Sequence, residues 1–168
     1  MSTKKTDIIA NQDLAPPVFN DPGLSFAHLL SSIGRVAVAI TDIELNDIIV
    51  LEQFPASARI LDILILNDDL DSAGPTLTYK LGVYDEDDVA LDDDIYGATK
   101  TDLQAAVTDW TSIDGRGIEL VGQRLWEDAG IASAPDPGTE FRIAMDIDAA
   151  AATAVAGDIA VRFIYVHD

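Results

Sequence analysis

Residues Asp47–Asp71, DIIVLEQFPASARILDILILNDDLD, decide the fold. Two apolar stretches, Asp47–Gln53 and Arg59–Leu66, meet at Phe54-Pro55-Ala56-Ser57. A proline there removes a ladder donor and ends the first stretch, so the pair reads as two strands around a turn. From Ile60 the second stretch is apolar at both parities except at Asp62. Such a run predicts a central strand covered on both faces. Nothing in these residues suggests a reaction.

The same period of two runs through the rest of the chain. In Arg35–Thr41, Val36, Val38 and Ile40 fall on one face, with Ala37 and Ala39 on the other. Thr76–Tyr84 sends Leu77, Tyr79, Leu81 and Val83 inward and Thr78 and Lys80 outward. Glu140–Asp148 alternates Phe141, Ile143, Met145 and Ile147 with Arg142, Ala144, Asp146 and Asp148. In Asp158–Val166 one face is Ile159, Val161, Phe163 and Tyr165; the other carries Ala160, Ile164 and Val166 beside Arg162, so something should cover part of it. Shorter strand candidates lie at Asp94–Ala98 and Gly117–Val121. Alternation of this kind, broken by turn residues, is the signature of half-buried strands.

Helix is minor. Thr101-Asp102-Leu103-Gln104 fits a capping box and predicts about two turns through Val107. Gln123–Ala129 predicts a second short helix closed by Gly130. Pro135-Asp136-Pro137-Gly138 forces a turn. The fold class is therefore all-β: a single antiparallel β-sandwich or jelly roll of about eight strands, with one or two short helices. Residues 1–33 read as an N-terminal arm, with Ala15-Pro16-Pro17 and Asn20-Asp21-Pro22-Gly23 breaking regular structure and one helical turn predicted in Leu24–Ile33; residues 34–168 form the sandwich. The arm's apolar residues either dock on a neighbouring molecule or pack on the arm's own domain.

Composition limits function. In 168 residues there is no cysteine, which removes disulfides, thiolate metal sites and cysteine nucleophiles together. Thirty acidic residues against ten basic ones give a net charge of −20. Phosphate neutralisation needs clustered Lys and Arg, so direct nucleic-acid binding is not expected; an anionic membrane surface repels the chain for the same reason. Met1–Pro17 lacks the apolar core of a signal peptide, and no apolar run approaches the roughly 20 residues of a membrane span. The charge serves solubility or binds cations.

No catalytic constellation emerges, and the chain is not expected to be an enzyme. His28 and His167 are the only histidines, neither set beside a serine nucleophile nor able to seed a zinc site. Gly115-Arg116-Gly117 lacks the spacing and lysine of a phosphate loop. The metal candidate is calcium, at Asp85, Asp87, Asp92 and Asp94 in the run Asp85–Asp94, where close carboxylates offer oxygen ligands. Against an EF-hand, Ala90 replaces the required glycine and Tyr96 the closing glutamate. Solvated charge explains the run equally, and no cofactor is otherwise expected. Trp110 and Trp126 could form a sugar-stacking platform or pack in the core.

In order and spacing, four segments resemble the jelly-roll decoration (cement) proteins of tailed-phage capsids. These are Phe54–Ile63 (FPASARILDI), Leu77–Asp85 (LTYKLGVYD), Leu125–Gly130 (LWEDAG) and Gly157–Val166 (GDIAVRFIYV). The resemblance spans roughly Gly34 to Val166; the arm, the acidity and the Asp85-Glu86-Asp87-Asp88 insertion depart from it. It implies a virion protein on the outer capsid surface, with the major capsid protein and copies of itself (homodimer or homotrimer) as partners. The interface candidates are Pro16, Pro17, Phe19 and Phe26 of the arm, with Trp110, Ile164 and Val166 of the sandwich. The alternative is a carbohydrate- or receptor-binding jelly roll of a phage tail or fibre, and a small acidic-site hydrolase stands third.

Overall fold

The computed structural model describes residues 29–167, and in them the alternating segments become eight strands. The strands are β1 Leu29–Val38, β2 Ile48–Pro55, β3 Arg59–Asn67, β4 Thr78–Tyr84, β5 Ala90–Lys100, β6 Val107–Ser112, β7 Glu140–Ala149 and β8 Gly157–Val166. They form two four-stranded sheets, ordered β1-β8-β3-β6 and β2-β7-β4-β5, with every pair antiparallel. Successive strands alternate between the sheets except at the β4–β5 hairpin. That order is the jelly roll, in which two sheets pack face to face over one core.

The inward set is the one the alternation predicts. Leu77, Tyr79, Leu81, Val83, Ile143, Met145, Ile147, Ile159 and Phe163 are fully buried. Phe54 of β2 crosses to the opposite sheet, meeting Phe163 and Tyr165 edge-to-face at centroid distances of 5.0 and 4.9 Å. β3 is bulged at Leu61, which resets its parity so that Ile60 and Ile63 both point into the core. At Gly82 an added Cβ would lie 2.2 Å from the Asp92 carbonyl oxygen, so the irregular backbone of β5 crosses β4 where only glycine leaves room.

The structure corrects several expectations. β1 begins at Leu29, so residues 29–33 belong to the sheet and not to the arm or a helical turn; ten-residue pairing with β8 holds them extended. The predicted helix at Thr101–Val107 is only a 3-10 turn, Asp102–Gln104, because a single apolar side chain, Leu103, anchors it. Its β-branched sequel, Val107-Thr108, starts the unpredicted strand β6. Gly117–Val121 is a run of turns, with Ile118 91% exposed and no strand beside it to pair with. The second helix is one turn, α1 Leu125–Asp128, with Gly130 at φ +71° behind it as its role requires. β3 is central, but it is sealed on one face only: Leu61, Leu64 and Leu66 are half-buried. The arm positions Pro16, Pro17, Phe19 and Phe26, with His28, lie outside the described residues.

Candidate docking surface

The outer face of the β1-β8-β3-β6 sheet is built by register. Leu29, Val166 and Arg59 form one row across β1, β8 and β3; Ser31, Ile164 and Asp62 form the next. Then come Ile33, Arg162, Leu64 and Ser112, reaching β6, and after them Arg35, Ala160 and Leu66. The arginine of the third row lies over Trp110 of β6, its guanidinium 4.9 Å from the ring centroid, which places that indole on the same face. Leu29 and Ile33 are 65% and 60% exposed, and Leu64, Leu66, Trp110 and Ile164 are half-buried. Three interface positions named from sequence, Trp110, Ile164 and Val166, thus share one face. Of these, Val166 is buried between Leu29 and Arg59 and offers little surface of its own. The sequence missed Leu29, Ile33, Leu64 and Leu66 as members of this face, since only cross-strand register gathers them.

Charge separates this face from the rest of the molecule. It exposes Arg35 and Arg162 against Asp62 and Asp158, in a chain of net charge −20, while Arg59 is buried with its guanidinium on the Gly122 carbonyl (2.6 Å). Arg35 pairs with Asp158 at 2.5 Å, and Ser112 donates to Asp62 at 2.5 Å, so both aspartates are engaged. The opposite sheet presents carboxylates. Lys80 Nζ sits 2.8 Å from Asp93 and 4.0 Å from Asp148, with Asp146 opposite it in register. Partial burial, with Asp93 and Asp148 nearby, holds the Asp146 carboxyl above the usual range; partial burial and Asp94 do the same to Asp92.

The calcium candidates separate into two groups. Asp85 Oδ1 accepts from the backbone N–H of Asp87 and Val89, both at 2.9 Å, and so builds the β4–β5 turn. Asp88 takes φ +62° in that turn and pairs with Arg142 at 2.6 Å. Asp92, Asp93 and Asp94 carry carboxylate oxygens within 4.8 Å of one another, because the irregular backbone of β5 breaks the alternation that would part them. Asp85 and Asp87 are not in that group.

A buried ionic cluster was not anticipated from the sequence. Arg116, with no exposed side-chain surface, bonds Asp114 (Nη2–Oδ2 2.7 Å, Nε–Oδ1 3.0 Å), Asp128 (2.9 Å) and the Ile60 carbonyl (2.7 Å). Tyr96 donates to the same Asp128 oxygen at 2.8 Å, and its ring lies under the guanidinium. Burial outweighs the attraction of Arg116 and pushes the Asp128 carboxyl up to about 6. The cluster ties the turn-rich 113–128 segment to β3 and β5. An arginine between two glycines was its one trace in the sequence.

One concavity among the described residues is a groove of about 730 Å³ at the end of the sandwich where β1 starts and β8 finishes. Pro55, Ser57, Trp126, Pro135, Pro137 and His167 line it. α1 is docked there by Leu125 N–H to the Ala58 carbonyl (2.7 Å) and Trp126 N–H to the Ala56 carbonyl (3.1 Å). Trp110 and Trp126 therefore occupy different surfaces and build no common platform.

No protein-family model matches the chain, and no curated protein matches it. Two solved structures share the fold. One is a chain of the cyanophage Pam1 capsid asymmetric unit, 22% identical with a TM-score of 0.59, covering 93% of this chain and 97% of that one. The other is a chain of the capsid of Ralstonia phage GP4, 19% identical with a TM-score of 0.59, covering 84% and 85%.

Proposed function

We propose that this chain is a structural protein of a phage virion, and within that class a decoration (cement) protein that binds the outside of the head and stabilises the shell. The observation that carries the reading is the outer face of the β1-β8-β3-β6 sheet. It gathers Leu29, Ile33, Leu64, Leu66, Trp110 and Ile164 with two arginines, Arg35 and Arg162, on one sheet face of a chain of net charge −20. An apolar surface of that kind on a highly charged protein marks a place where another protein sits. The two chains that share the fold come from capsid structures, which supports the shell as that partner. A net charge of −20 supports the outside of the shell, away from packaged nucleic acid. Binding only the assembled shell, the protein would stabilise it by mass action, and a cyclic homo-oligomer, dimer or trimer, would fit a local symmetry axis.

The test is co-sedimentation of the purified protein with shells of the same virus's major capsid protein. Leu29→Asp/Ile33→Asp places two charges on the exposed rim of the face without touching the core. It should weaken binding by about tenfold or more, since each buried Leu or Ile contributes about 1.5–3 kcal/mol. Val50→Asp on the opposite sheet should bind as the parent does. Full binding by the double variant, or loss only in Val50→Asp, refutes the assignment. Peptide mass spectrometry of virions should give a copy number near that of the capsid subunit; a handful of copies would instead favour a tail or fibre module.

A further inference from the structure

The end groove has a shape and chemistry that the shell-binding reading does not use. Its floor is the Pro55-Ala56-Ser57 turn between β2 and β3, one wall is Trp126 of α1, and the other is the Ala134–Glu140 turn with Pro135 and Pro137. At about 730 Å³ it accommodates a short extended peptide and no compact element. Grooves walled by an aromatic ring and prolines select extended, proline-containing segments, which bring no internal hydrogen bonds to break and little chain entropy to lose.

This chain contains one such segment, Ala15-Pro16-Pro17-Val18-Phe19. The two prolines bias Ala15 and Pro16 toward the extended conformation. Strand register fixes where the segment is tethered. Leu29, the first residue of β1, pairs with Val166, and the next residue, His167, lines the groove. β1 therefore begins at the groove's own end of the sandwich. Ten residue-to-residue steps lead from Phe19 to Leu29, a reach of up to roughly 35 Å, against a radius of gyration of about 14 Å for a domain of this size. A tether this short holds its segment at an effective concentration of order millimolar, which favours it over a free competitor.

We infer that the groove is the seat of the chain's own Ala15–Phe19 segment, bound within the same molecule. The groove offers Trp126 and the Pro135–Pro137 wall to the prolines and the Ser57 floor to Val18 and Phe19. The inference stands apart from the shell-binding reading, because it concerns the isolated molecule.

The absence of cysteine makes a clean disulfide-trapping test available. The full-length double variant Val18→Cys/Ser57→Cys is oxidised with copper–phenanthroline in air and followed on non-reducing gels and by intact mass. The reference is Val18→Cys/Thr108→Cys, whose exposed second site lies beside the cavity at the other end of the sandwich. The expected result is an intramolecular cross-link forming at Ser57→Cys about tenfold or more faster than in the reference, as the effective-concentration argument requires. Adding Ala134→Arg, which fills the groove from an exposed position, should bring the rate down to that of the reference. Equal rates at the two sites, cross-linked dimers in place of monomers, or a rate unmoved by Ala134→Arg would each overturn the inference. Dimers alone would assign the groove to a neighbouring copy's segment.

Discussion

Replacing Asp128 by asparagine should remove a pH dependence from the stability of this protein. Asp128 is 2% exposed, and its Oδ2 accepts from both Tyr96 (2.8 Å) and Arg116 (2.9 Å). Its Oδ1 is buried without a hydrogen-bond partner among the described residues. Burial is the largest influence on this carboxyl and raises its pKa from 3.8 to about 6; the attraction of Arg116 is weaker because Asp114 already holds that guanidinium through Nε and Nη2. A folded-state pKa above the unfolded one means that the native state keeps a proton the unfolded state has released. The group's contribution to stability is therefore complete below pH 3.8 and is lost as pH rises through 6. At about 1.4 kcal/mol per pH unit of displacement, the loss is about 3 kcal/mol, roughly half of it between pH 5 and 7. That half lies clear of the low-solubility region near the sequence pI of 4.1.

Asparagine cannot ionise, keeps an oxygen for Tyr96 and leaves Arg116 on Asp114. Its amide NH2 goes unsatisfied where Oδ1 was, a cost of about 1–3 kcal/mol that does not vary with pH. Urea unfolding curves for both proteins between pH 5 and 8 give the difference in stability directly. Other carboxylates titrate alike in the two proteins and cancel. The difference should move in favour of Asp128→Asn by about 1.4 kcal/mol from pH 5 to pH 7. Parallel profiles, or a shift of the opposite sign, would refute the claim that desolvation dominates at Asp128.

Two further outcomes follow from the core and from the loops. Phe163→Ala removes a fully buried ring with its edge-to-face contact to Phe54, and should cost about 3–5 kcal/mol in urea unfolding with an unchanged slope; a loss below about 1 kcal/mol would mean the two sheets are not held by this contact. Asp71→Ala removes the carboxylate that accepts from Thr76 (2.6 Å), Leu77 (2.9 Å) and Thr153 (2.9 Å), binding the β3–β4 loop to the β7–β8 loop. Three orphaned donors should cost about 2–4 kcal/mol at neutral pH. Burial pushes the Asp71 carboxyl up, but the N–H bonds from Thr153, Leu77 and Thr76 more than offset it, and its pKa is lowered. The stabilisation is therefore present above 3.8 and lost as pH falls through the folded-state value, the reverse of Asp128. Acid titration of both proteins should show the Asp71→Ala penalty narrowing below pH 3.8, and a constant penalty would contradict the assignment.

The sequence by itself determined the strands that bury one face, because alternation is a local property. Side chains two residues apart share a face whatever the partner strand, so Leu77, Tyr79, Leu81 and Val83 could be read as inward before any partner was known. The same logic made Ile164 a surface candidate. It failed where structure depends on pairing: at β6, whose six residues carry two exposed threonines and no clean alternation, and at Gly117–Val121, which alternates but has no neighbour. It failed again for β3, since outer-face exposure depends on what packs above the sheet. Only the tertiary structure decided which strands adjoin, and so which residues meet. Leu29, Ile33, Arg162, Leu64 and Trp110 come together from four strands, and Tyr96, Arg116 and Asp128 from β5, a turn and α1. The groove likewise joins residues 55–57, 124, 126, 134–140 and 167. Contacts across such separations leave no periodic mark on the chain. They are fixed by sheet order, by the bulges that reset register and by loop closure, which are properties of the assembled sandwich and not of any one segment.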